Sequence, residues 1–158
     1  MKEEVRIKIR SVRYEVEASL FSEENENELF DLLGSDEPET VEINTVGRSV
    51  RKDGRVEISY EETEVTGMEG STTAVSFLEA DSGIVTMIRE GAVSTALVFE
   101  EGKRHHCVYN TPFMPFQVCV HTLKVDNKLL TEGTVDLDYI VEIRGARAER
   151  TKFRMEVL

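Results

Sequence analysis

Most of this chain alternates. In VRIKIRSVRYEVEA (5–18), Val5, Ile7 and Ile9 fall on one face and Arg6, Lys8 and Arg10 on the other. A period of two marks a half-buried β-strand, because successive strand side chains point to opposite sides of a sheet. The apolar parity then moves to Val12, Tyr14 and Val16, which predicts a bulge after Ser11. The same texture returns at 40–51, 55–62, 71–79, 83–90, 93–101, 104–110, 116–122, 123–130, 133–145 and 150–158. Lys52-Asp53-Gly54 reads as a hairpin turn, since glycine takes a positive φ at no steric cost, and Asp126-Asn127 reads as a second turn.

About nine or ten short strands at this spacing point to a sandwich or a barrel. Helical segments do not alternate with the strands, which argues against a parallel βαβ sheet. Short connections favour an all-β fold with a single up-and-down antiparallel barrel, since closure leaves no exposed sheet edge. The one helical pattern is SEENENELFDLLG (22–34), with Ser22 as N-cap, acids in the first turn and Gly34 as a stop; a charged excursion with one apolar turn reads equally well.

A length of 158 residues with 40% hydrophobic content suits one domain over 1–158 with a core of its own. No apolar run approaches the ~18 residues of a membrane span. MKEEVRIKIR lacks the apolar stretch of a secretory signal, so a cytoplasmic protein is expected. The net charge of −12 repels nucleic acid and anionic membrane surfaces, and neither is expected as a partner.

Particular stretches resemble the YwiB-like family of bacterial proteins of unknown function. They are TVG at 45–47, VEISYEET at 56–63, MIREGAV at 87–93, LVFEEG at 97–102, YNTPF at 109–113 and LLTEGTVDLDYIVEIRG at 129–145. The resemblance runs from about Glu42 onward. It implies a calycin-type barrel, related in shape to lipocalins and fatty-acid-binding proteins, with a plausible pocket and no established activity. The acidic segment 20–38 then stands as an insertion between the first two strands, and Met114 replaces the family's usual glycine after TPF.

A small antiparallel barrel can hold one ligand inside, and side-chain parity decides what that ligand meets. Tyr60 and Glu62 share a face with Val56 and Ile58; Arg89 with Val85 and Met87; Tyr139 with Val135, Leu137 and Val141. If the apolar faces point inward, these four polar residues do too. An inward arginine needs a partner, because an isolated buried charge is costly. One reading pairs Arg89 with Glu62 near the rim, both heads partly wet. The other has Arg89 and a tyrosine hydroxyl gripping an anionic or fatty-acid-like ligand, since the planar guanidinium suits a carboxylate or phosphate. The expected function is non-catalytic binding of a small amphipathic or anionic molecule at Arg89, Glu62, Tyr60 and Tyr139, with no cofactor. A structural or protein-interaction module acting through its acidic outer surface is the alternative. No GxSxG, HExxH, P-loop or GxGxxG motif appears in a fitting context, so enzyme chemistry is not expected; Glu62 is the one carboxylate it could use. Asp136 and Asp138 read as the wet face of their strand.

RHHCVYNTPFMPFQVCVH (104–121) holds both cysteines and all three histidines. With a hairpin register that opposes Cys107 to Cys119, His105, Cys107, Cys119 and His121 share the outer face. A zinc site, a disulfide and two free thiols are all chemically open there, and no metal is expected. A one-residue slip would separate the four groups.

Overall fold

The structure, a computed structural model, describes residues 2–16, 38–63, 69–143 and 147–158. The candidate helix at 22–34 and the 20–38 insertion apart from its last residue lie outside them. Ten strands follow in order: β1 (Lys2–Val16), β2 (Glu39–Lys52), β3 (Arg55–Glu61), β4 (Thr72–Leu78), β5 (Asp81–Glu90), β6 (Ser94–Glu100), β7 (Arg104–Asn110), β8 (Pro115–Lys128), β9 (Thr134–Ile143) and β10 (Arg147–Val157). A four-residue helix, α1 (Leu129–Glu132), separates β8 from β9. Each strand pairs antiparallel with the next, and β1 closes the barrel by pairing with both β2 and β10. Among the described residues, no helix is long and apolar enough to cross a membrane.

One end of the barrel is closed by tight connections. Asp53 (φ 53°) and Gly54 (φ 76°) form the turn that Asp-Gly predicts, since both central residues of this turn type need positive φ. Asp126-Asn127 is not a turn. Both residues stay in the β8–β9 ladder, opposite Asp136 and Val135. The Asn127 side chain donates to the Ser82 carbonyl (3.0 Å) and accepts from the Leu129 amide (3.2 Å), so it joins the strand to α1. The reversal is completed at Gly133, whose φ of 78° ends α1 and whose carbonyl accepts from the Val157 amide at 2.8 Å.

The expected bulge after Ser11 is absent. The β1–β2 and β1–β10 registers run without a shift across it. The inner face continues from buried Ile7 and Ile9 to Ser11, Arg13 and Glu15, while Val12 and Tyr14 sit half-buried on the outer parity. The chain changes from apolar to polar residues along one face because that face passes from the core to a cavity. The interruptions lie elsewhere, at Ser76/Leu78 and Thr122/Lys124.

Inside, side chains stack in rows along the hydrogen-bonding direction, because paired residues in neighbouring strands share a face. Ile58, Val75, Met87 and Leu97 form one apolar row across β3 to β6, all nearly fully buried. Val85 and Phe99 lie below it, with Val135, Leu137 and Met155 on the opposite wall. Outward faces carry ion pairs such as Lys8–Glu42 (3.3 Å), Arg154–Asp136 (3.0 Å) and Arg150–Asp138 (2.7 Å). Asp138 is therefore less wet than its alternation implies: Arg150 grips both its oxygens, and the pair is largely sheltered.

Candidate functional site

Two residues along each strand from that apolar row, the interior changes character. Tyr60 on β3 pairs with Thr73 on β4, Thr73 with Arg89 on β5, Arg89 with Thr95 on β6, and Thr95 with Tyr109 on β7. Tyr60, Arg89 and Tyr109 of this row line a cavity of about 450 Å³, within the range of small-molecule sites, with Thr73 and Thr95 buried between them. Tyr60, Glu62, Arg89 and Tyr139, the four residues singled out from parity, all line it. Ile9, Ile43, Met87, Leu97, Val118 and Phe153 supply its apolar wall.

Arg89 and Glu62 are joined through a third residue. Arg89 Nε donates to Thr73 Oγ1 (3.1 Å), and Thr73 Oγ1 donates to Glu62 Oε1 (2.7 Å). The direct separation between Arg89 Nη2 and Glu62 Oε1 is 3.7 Å, too long for a good hydrogen bond but close enough for strong attraction. Glu62 is 2% exposed and Arg89 15%, so the pair lies deeper than the wet rim contact foreseen from sequence. Arg89 Nη2 also approaches Met87 Sδ at 3.8 Å, a weak acceptor. Among the described residues Nη1 has no hydrogen-bond acceptor, and neither does the buried Glu62 Oε2 have a donor. The two ends of the relay keep capacity for further bonds.

Three phenols surround this relay. Burial pushes the Tyr139 hydroxyl up to about 12; the Tyr109 hydroxyl nearby adds to the rise, and Arg89 pulls it back. Tyr60 is raised further, chiefly by burial and then by the charge of Glu62, again opposed by Arg89. Burial raises Tyr109 as well. The single guanidinium acts on all three, and all three stay protonated donors at neutral pH. Tyr139 also packs on Phe99, with ring centroids 4.5 Å apart. Towards the mouth, Arg13 meets Glu149 at 3.7 Å, and Glu15 and Glu39 complete the rim.

Sequence reasoning missed Thr73, Tyr109 and Arg13. Thr73 shares the parity of Val75 and Phe77 and was legible on that ground. Arg13 was hidden by the supposed bulge. Tyr109 was hidden by a register error. β7 and β8 pair with Asn110 opposite Pro115, one residue away from the expected alignment. Thr111 Oγ1 donates to the Met114 carbonyl (2.7 Å) and accepts from the Met114 and Phe113 amides (3.1 and 3.3 Å), which fixes a loop with an even number of residues. Cys107 therefore opposes Val118, not Cys119, and turns inward with Tyr109, while His106 and Val108 turn out. Cys119 and His121 take the outer parity, so the four groups do not converge. Both cysteines are free. Among the described residues no group of three or more His, Cys, Asp or Glu could hold a metal ion.

The molecule is thus a closed antiparallel β-barrel with a polar-headed cavity at one end. The chain belongs to the family described as a domain of unknown function, DUF1934, which matches residues 32–155. Its fold is similar to the crystal structure of the ywiB protein from Bacillus subtilis, with a TM-score of 0.64 and 18% identity over 98% of this chain and 93% of that one. No curated protein matches the chain.

Proposed function

We propose that the protein binds one small amphipathic molecule inside the barrel, with its anionic or polar head at Arg89 and its apolar body along Met87, Leu97 and Phe153. The observation that carries this reading is a half-buried guanidinium whose Nη1 has no acceptor among the described residues, set on the wall of a cavity of about 450 Å³. Tyr60 and Tyr139 are protonated donors beside it. Glu62 balances the arginine's charge when no ligand is present, so the two readings of Arg89 from sequence combine in one site. The likeness in shape to calycin barrels belongs to this proposal, as does a cytoplasmic setting, which the free Cys107 and Cys119 thiols favour. The net charge of −12 argues against nucleic acid as a partner. The alternative, an acidic interaction surface, draws mainly on 20–38, of which only Pro38 is described.

Native mass spectrometry of the purified protein provides the test. A co-purifying small molecule, released on denaturation and missing from an Arg89→Met/Glu62→Gln variant, is the expected result. A folded protein that carries nothing and takes up no medium-chain acid would end the proposal.

A further inference from the structure

One oxygen of Glu62, without a partner among the described residues, says what kind of head group the cavity accepts. Glu62 is almost fully buried on the cavity wall. Its Oε1 accepts from Thr73, and its Oε2 has no donor among the described residues. A buried carboxylate oxygen without a donor is costly, so the site gains by receiving one. The nearest basic group, Arg89, does not meet this need, since its Nε goes to Thr73 and its Nη2 stands 3.7 Å from the other oxygen, Oε1. The same guanidinium still offers Nη1. A donor-seeking oxygen and an acceptor-seeking nitrogen therefore belong to neighbouring side chains of one wall.

A plain carboxylate satisfies only the second of these. It also enters a wall whose charges are Arg13 and Arg89 against Glu15, Glu39, Glu62 and Glu149, two positive against four negative. That balance disfavours a simple anion and favours a head that brings a donor, neutral or cationic, with its oxyanion. Resting on the ligand-binding reading above, we infer that the ligand is an amphipathic acid with a hydroxyl or ammonium group one or two carbons from its carboxylate. The oxyanion meets Arg89 with the tyrosine hydroxyls, and the Glu62 carboxylate, whose Oε2 is buried in the empty cavity's wall, turns to accept from the adjacent donor. The two sources of the donor share this chemistry, and the probes separate them.

Isothermal titration with decanoate, 2-hydroxydecanoate and 2-aminodecanoate tests the inference. One or both substituted acids should bind at least about tenfold more tightly than decanoate, the scale of a hydrogen bond to a charged group. A gain confined to the amino acid identifies an ammonium, and a gain with both identifies any donor. In Glu62→Gln the preference should shrink towards parity, while Glu61→Gln, on the exposed outer parity, should retain it. Equal binding of the three acids by the unmodified protein would overturn the inference, assign Oε2 to buried water and leave the ligand-binding reading standing. Binding of none would overturn both.

Discussion

Two layers of the same barrel, two residues apart on the same strands, have opposite chemistry. Ile58, Val75, Met87 and Leu97 form one row; Tyr60, Thr73, Arg89 and Thr95 form the next. The lower row is apolar and needs no polar partner, and its Met87 and Leu97 border the cavity. The upper row contains a charge, hydroxyls and phenols around an opening. Thr95 Oγ1, like Glu62 Oε2, is buried without a hydrogen-bond partner among the described residues. A barrel selected only for stability would extend apolar packing upward, because replacing a buried ion pair by apolar residues of similar volume is often neutral or stabilising. On the proposed function, the polar layer is stability given up for recognition.

The largest contrast should appear between one methionine truncated at the cavity wall and one truncated in the packed core. Met155 is fully buried and is not part of this cavity's wall, so Met155→Ala leaves a new void and should cost about 4 kcal/mol. Met87 already borders the cavity, so Met87→Ala enlarges an existing space and should cost about 2 kcal/mol. Urea unfolding of the two variants gives both values, and equal costs would mean that the cavity wall packs as tightly as the core.

Arg89→Met should strand the buried Glu62 carboxylate and cost about 3 kcal/mol. Adding Glu62→Gln should recover most of that loss, since no charge is then left unpaired. Thermal melts of the two single variants and the double variant read the coupling. Strictly additive losses would show that the Thr73 relay does not join the pair.

A smaller effect concerns alkaline pH. The Tyr139 hydroxyl is held at about 12, against an ordinary value near 10 in the unfolded chain. As pH rises from 10, the unfolded state loses this proton first while the folded state keeps it. Stability is therefore complete below pH 10 and falls progressively towards pH 12. Tyr139→Phe should flatten that fall in denaturation curves taken across this window; an unchanged slope would place the phenol in water.

The smallest expected effect is on the thiols. Cys107 and Cys119 lie on opposite faces of the β7–β8 ladder, so mild oxidation should produce no intramolecular disulfide by mass. Rapid formation of that bond would restore the register foreseen from sequence.

The polar layer was partly legible in the sequence, for a simple reason. Arg89 follows Val85 and Met87 at even spacing, and Tyr60 and Glu62 follow Val56 and Ile58, so strand parity alone turns them inward. Parity failed where one face changes polarity midway. In β1 the passage from Ile9 to Ser11 and Arg13 imitated a bulge. It failed again where a register depended on loop length, because the Thr111 hydroxyl sets the turn and with it the face of Cys107 and Tyr109. The relay through Thr73 needs three strands in register, which no single strand's pattern contains. The resemblance to the YwiB-like family carried the fold, and the family match bears it out. It implied a pocket but named none of the residues that line it.

The most direct test of the central claim uses the two methionines as reporters. With ¹³C-methyl-labelled methionine, the Met87 signal reports the cavity wall and the Met155 signal the packed core. On titration with decanoate or its 2-hydroxy form, Met87 should shift and saturate while Met155 stays in place. A Met87 signal unmoved at millimolar acid, or the two signals moving together, would contradict a ligand site at this end of the barrel.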